Sequence, residues 1–190
     1  MAASGHLSPV AIAVLALLAE QPMHAYRMQQ LIKERGVDIV VNARTRSGLH
    51  AAIDRLARDH LIRVHAVERD TPYPERTVYE LTPTGHEALL TALREGVATP
   101  AREFPLFPAA VSFLHLLSPE DARRQLERRT EALEHQLAAT DAVITASVDY
   151  GVPRLHLLEH EYLRSVTTAE LAWIRTVTQA IADGTLTWPP

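Results

Sequence analysis

Ser47-Gly48-Leu49-His50-Ala51-Ala52-Ile53-Asp54-Arg55-Leu56, followed four residues later by Leu61-Ile62, is the stretch on which the fold turns. Leu49, Ile53, Leu56, Ala57 and Leu61 recur at the spacing of one helix face, so a helix beginning near Thr45 or Ser47 buries them. Its other face carries Arg46, His50, Arg55 and Arg58. Over 61–68 the period changes to two: Ile62, Val64 and Ala66 alternate with Arg63, His65 and Val67, as in a half-exposed strand. Asp70-Thr71-Pro72-Tyr73-Pro74-Glu75 is a stiff turn, and alternation resumes over 76–81, so two strands pair as a hairpin.

Working outward, Ser8-Pro9 caps and opens a helix that runs to about Glu20 and ends at Pro22. A second helix over 24–35 places Tyr26, Leu31 and Ile32 on one side and stops at Gly36. A β-like stretch, 38–41, separates it from the third helix. After the hairpin, Thr82-Pro83-Thr84-Gly85 opens a helix through Ala88, Leu89 and Leu93.

Three helices, a two-stranded wing and a further helix describe a winged helix-turn-helix, whose third helix enters the major groove while the wing touches phosphates. The expected DNA-binding set is Arg44, Thr45, Arg46, Ser47, His50 and Arg55 around that helix, with Tyr73 and Arg76 on the wing. Arginine suits both guanine edges and phosphates. The net charge of -4 argues against indiscriminate coating of nucleic acid. Its distribution matters more: residues 1–96 hold eleven basic and eleven acidic side chains, residues 97–190 eight and twelve. The segment 42–63 is locally basic, with five arginines against Asp54 and Asp59.

Ser47 to Leu56 with Leu61-Ile62 resembles the recognition-helix pattern of the PadR family of transcriptional regulators. Thr77-Val78-Tyr79-Glu80-Leu81-Thr82-Pro83-Thr84-Gly85 is similar to that family's wing-to-helix junction, and Pro22-Met23-His24-Ala25-Tyr26 to the start of its second helix. The likeness covers about residues 7–95. The sequence departs from the pattern at His50, where the family has tyrosine, and at Ala25 and His60, where it has glycine; the wing also lacks a glycine-arginine run. The resemblance implies a dimeric repressor whose C-terminal helices pack against a partner and whose effector is a small aromatic molecule.

The expected organisation is a DNA-binding domain over 1–98, a proline- and phenylalanine-rich junction over 99–117, and an antiparallel helical dimerisation domain over 118–190, making the chain mainly α (α+β). Ser118-Pro119-Glu120-Asp121 opens a long helix with the seam Ala122, Leu126, Leu133, Leu137, Ile144 and Val148. Gly151-Val152-Pro153 breaks it, and a last helix carries the stripe Leu155, Leu158, Tyr162, Ala169, Trp173, Val177 and Ile181. Leu126, Leu133, Leu137, Ile144, Leu155, Leu158 and Tyr162 are the expected dimerisation residues, because one helical pair leaves such seams uncovered. Trp173 and Phe113 are the candidate contacts for an aromatic effector, with core packing the alternative for each.

The absence of cysteine excludes a disulfide framework, a thiolate metal site and a catalytic thiol, and fits a cytoplasmic protein. The apolar run 10–19 lacks a preceding Lys or Arg and is too short to span a bilayer, so it reads as a buried helix with no membrane partner. His156-Leu157-Leu158-Glu159-His160 matches the His-x-x-Glu-His order of inverted zinc peptidases. With ten histidines in the chain such a match is cheap, and no metal, cofactor or catalytic set is expected. The remaining alternative is a winged-helix scaffold that binds protein and no DNA.

Overall fold

The computed structural model describes residues 7–42, 46–68 and 76–188, and divides the chain into two compact units, Met1–Arg102 and Glu103–Pro190. The first unit contains α1 (Pro9–Glu20), β1 (Met23–His24), α2 (Ala25–Glu34), a 3-10 turn Val37–Ile39, α3 (Arg46–Arg58), β2 (Ile62–Glu68), β3 (Arg76–Leu81) and α4 (Pro83–Ala98). Ser8 caps α1 by accepting the Ala11 N–H at 3.2 Å. Ala11, Ala13, Val14, Leu15, Leu17 and Leu18 of α1 are all buried, so the helix is apolar around most of its circumference and serves as the post against which α3, α4 and β3 pack. Leu49, Ile53 and Leu56 of α3 complete that core with Met28, Leu31 and Ile32 of α2 and Leu89 of α4.

The sheet has three antiparallel strands in the order β1-β3-β2. Met23 pairs with Tyr79 and His24 with Val78, adding an edge strand to the expected hairpin. Along β2 the pairing is regular from Ile62 opposite Leu81 to Val64 opposite Tyr79, and then slips, because Ala66 stands opposite Val78. His65 is the extra residue of a bulge, which ends the simple alternation of 61–68 expected from sequence. The stretch 38–41, expected to be β-like, instead runs out of the 3-10 turn Val37–Ile39, which is entered through Gly36 at φ 67°. There Val41 turns its side chain into the core.

The end of α3 and the start of α4 share one carbonyl. Leu61 donates its N–H to Leu56 O (2.9 Å) and His60 to Ala57 O (3.1 Å), which reverses the chain with His60 at φ 57°. The Leu61 carbonyl then accepts the Thr82 N–H at 3.1 Å. Thr82 Oγ1 lies 2.9 Å from both the His60 and Leu61 carbonyls and accepts the Gly85 N–H at 3.0 Å, capping α4. His60 is exposed and left-handed, a conformation costing a side chain about 1–2 kcal/mol, while glycine loses roughly 0.4–1 kcal/mol through the unfolded chain. His60→Gly is therefore expected to stabilise the unit by roughly 0.5–1 kcal/mol, read as a higher urea midpoint at unchanged slope.

The second unit contains α5 (Leu106–Ser112), a 3-10 turn Leu114–Leu116, α6 (Pro119–Asp149), a 3-10 turn Arg154–Leu157 and α7 (Leu158–Ala182). The stretch expected as a junction is thus partly built into this unit: Phe107 and Leu114 pack against its core. Ser118 caps α6, and Gly151 at φ 74° reverses the chain, with the Val152 N–H on Ser147 O at 2.9 Å. Helices α6 and α7 lie antiparallel, joined by the ion pairs Arg129–Glu170 (2.6 Å) and Asp141–Arg164 (2.7 Å). Leu126 and Leu133 of α6 interlock with Leu171 and Ile174 of α7. Trp188 donates its indole N–H to Leu117 O at 2.8 Å, tying the C-terminal tail to the start of α6.

The stripe expected on the last helix splits: Val177 and Ile181 pack against the core as expected, whereas its N-terminal part is out of phase with the buried side. Leu157, His160, Thr167, Leu171 and Ile174 face inward, whereas Leu158, Tyr162 (68% exposed) and Trp173 (44% exposed) face outward and Leu155 is exposed in the preceding turn. Two apolar faces on one helix make the phase ambiguous in sequence, and a buried histidine hides the inner one.

Candidate nucleic-acid interface

The core side of α3 is fixed by Leu49, Ile53 and Leu56, which leaves Ser47, His50, Ala51, Asp54, Arg55 and Arg58 exposed on the other side. Of the residues expected there, Ser47, His50 and Arg55 are brought together on this surface. Arg55 Nε stands 3.9 Å from Asp59, a loose and solvent-exposed pair that contributes little to stability. Arg46 opens the helix, with its side chain outside the description; Arg44, Thr45 and Tyr73 lie outside the described residues. Ala51 and Asp54 were absent from the sequence-derived set. Their helical spacing from Ser47 is the signal in sequence that places them on this side.

The hairpin flanks this helix in the chain and carries its own polar cluster. Arg63 Nε and His65 Nδ1 both bind the Glu80 carboxylate on the neighbouring strand, the second at 2.8 Å. Arg63 stands directly opposite Glu80, and His65, at the bulge, reaches the same carboxylate from two residues further along β2. The hydrogen bond from Arg63, then that from His65, holds the Glu80 carboxyl below the ordinary glutamate value, so it is an anion at neutral pH. Arg76 stands at the far end of the hairpin, opposite Glu68. At the start of α2, His24 Nδ1 accepts the Arg27 N–H at 3.1 Å, and the His24 ring stacks on Tyr26 at 6.2 Å.

In the second unit the expected dimerisation residues divide. Leu126 and Leu133 are buried and Leu137 half-buried against α7 of the same chain, and Ile144 is half-buried. Leu155, Leu158 and Tyr162 remain exposed. The candidate effector residues are not gathered into one cavity. Trp173 meets Phe107 edge-on at 6.0 Å, and Arg129 stacks over that Phe107 ring at 3.7 Å while pairing with Glu170. Phe113 ends α5 and is 63% exposed. An open groove of about 420 Å³ between α6 and α7 has neither residue in its walls; Leu137, Ala138, Leu171 and Ala172 contribute its apolar lining.

The two histidines of the zinc-like pattern do not share a helix. His156 is exposed in the 3-10 turn, whereas His160 is buried in α7, its Nδ1 3.3 Å from Glu159. Among the described residues, no group of three or more His, Asp or Glu side chains is placed to hold a metal ion. Among those residues, too, no helix is long and apolar enough to cross a membrane.

Residues 14–91 match the model of the transcriptional regulator PadR-like family. No curated protein sequence matches the chain. Among solved structures, the chain is similar to Bacillus subtilis PadR in complex with operator DNA, with a TM-score of 0.73 and 17% identity over 90% of this chain and 98% of that one. The same Bacillus subtilis protein in complex with p-coumaric acid gives 0.70 and 16%, over 92% and 99%. The PadR-like transcriptional regulator BC1756 from Bacillus cereus gives 0.64 and 12%, over 92% and 99%. Residues 14–91 are thus similar to the PadR-like family, and over nine-tenths of its length the chain has the fold of the solved PadR regulators.

Proposed function

We propose that the chain is a cytoplasmic, dimeric repressor of transcription that binds a palindromic operator and is released by a small aromatic or hydrophobic effector. The observation that carries this reading is the polar outer side of α3, raised on an apolar inner side and followed directly by a two-stranded wing. Arg44 and Thr45 precede α3 in the sequence, Arg46 opens it, Ser47, His50 and Arg55 lie on its outer side, and Tyr73 and Arg76 are assigned as phosphate contacts of the wing. The match over residues 14–91 supports the same role. The operator complex of the Bacillus subtilis neighbour supports DNA as the ligand, and its p-coumaric acid complex supports an aromatic effector.

Dimerisation is assigned to the outward side of the second unit. Leu155, Leu158 and Tyr162, with Trp173 further along, leave a row of large apolar side chains in water, and a second copy is the economical cover for them. Effector binding in this unit then acts by preferring one of two dimer geometries, which differ in the separation of the two α3 helices.

The test is capture of genomic DNA by the purified protein at physiological salt, including the region upstream of its own gene, with the mass in solution measured alongside. The expected result is a dimer that enriches a palindrome with half-sites roughly 34–36 Å apart and binds it less tightly as salt rises. A folded dimer that enriches no DNA at any salt replaces this reading with the protein-binding scaffold.

A further inference from the structure

Ser47, His50, Ala51 and Asp54 are exposed at positions i, i+3, i+4 and i+7 of α3, the spacing with which the third helix of a homeodomain reads base edges. Asp54 is the acid among them. Within the description it forms no ion pair or hydrogen bond, although Arg58 stands one turn further on, and its neighbour Arg55 leans toward Asp59 instead. The surface that the proposed function turns toward DNA therefore presents an uncompensated carboxylate at its centre.

A carboxylate is repelled by phosphates and tolerated in the major groove only opposite a hydrogen-bond donor. The donors on that edge are the exocyclic amino groups, cytosine N4 and adenine N6, whereas guanine O6 and thymine O4 are acceptors. Resting on the reading of α3 as the groove-entering helix, the geometry points to Asp54 as a specificity-determining residue that requires an exocyclic amino group at one strand position of each half-site. Its discrimination works largely by rejection: a guanine or thymine at that position sets an acceptor against an acceptor with no donor between them. The same charge lowers affinity for unrelated DNA, which widens the gap between operator and background.

The experiment is selection from a randomised duplex pool at fixed salt with the wild type, Asp54→Ala and Asp54→Asn. It is followed by dissociation constants for the selected site and for every base at the position facing residue 54. The wild type is expected to hold cytosine or adenine there by on the order of tenfold over guanine and thymine, and the base retained identifies the amino group. Asp54→Ala is expected to accept all four bases about equally and to bind unrelated duplex several-fold more tightly. Asp54→Asn, whose amide pairs with adenine N6 and N7, is expected to place adenine at that position. Unchanged thermal unfolding of both variants, expected for an exposed side chain, shows that folding is not the cause. If Asp54→Ala keeps every base preference of the wild type, the inference fails while the DNA reading stands. A wild type that enriches no sequence removes both.

Discussion

Ile53→Ala is expected to cost the first unit about 4 kcal/mol, seen as a fall in its melting temperature of roughly 15–30 °C. Ile53 is fully buried on the inner side of α3 between Leu49 and Leu56, where α3 meets α1. Removing three carbons there forfeits their transfer from water and leaves a cavity that close-packed neighbours cannot fill without moving whole helices. A domain of this size is stable by only about 5–15 kcal/mol, so the loss is a large share of the whole. The outer side of α3 is untouched by the substitution. The DNA binding proposed for that side is therefore expected to fall with the folded fraction and recover on cooling, whereas Ile53→Val costs only about 1 kcal/mol. A loss below that figure for Ile53→Ala shows that α3 is not seated on α1 as described.

Gly85→Ala is the second large effect, and its sign is opposite to what helix propensity gives. Within α4, alanine is a better helix former than glycine by about 1 kcal/mol. A Cβ at Gly85, however, stands 1.9 Å from the Leu61 carbonyl oxygen and 2.9 Å from both its carbon and Leu81 Cδ1. Leu81 can swing away. The Leu61 carbonyl cannot, because it accepts the Thr82 N–H and belongs to the turn that closes α3. The steric cost outweighs the propensity gain, for a net destabilisation of about 3 kcal/mol in chemical unfolding. An alanine variant as stable as the wild type would require α4 to begin elsewhere.

The same two regions show how much was legible beforehand. The inner side of α3 followed from the spacing of Leu49, Ile53 and Leu56, and Thr82-Pro83 marked the start of α4, because a periodic apolar face and a cap are local signals. The departure noted at His60 also proved physical, since a left-handed residue stands where the family pattern has glycine. By contrast, β1 is two residues long, and His24 both ends it and caps α2, so the sequence reads only the helix. The β-branched run near Val40 and Val41 looks like a strand, but the reversal at Gly36 and the 3-10 turn Val37–Ile39 after it put Val41 in the core. The bulge at His65 depends on a partner strand eleven or more residues away, and the inner side of α7 on α6, neither of which a local pattern contains. The exposed side of α3 was legible from its spacing, whereas the place of Asp54 on it carried no signal of its own, because a lone acid on a helix surface has the same local pattern whether it faces solvent or a ligand.

The burial of α1 has a consequence for synthesis. Its apolar side chains leave the ribosome well before the last of the residues that cover them, because Leu89 of α4 follows Leu15 by 74 positions. At translation rates of about 5–20 residues per second, that is roughly 4–15 s during which the post of the domain exists without the elements built around it. The part of the chain most in need of shelter from other nascent chains is thus the one that, once folded, is least accessible to anything.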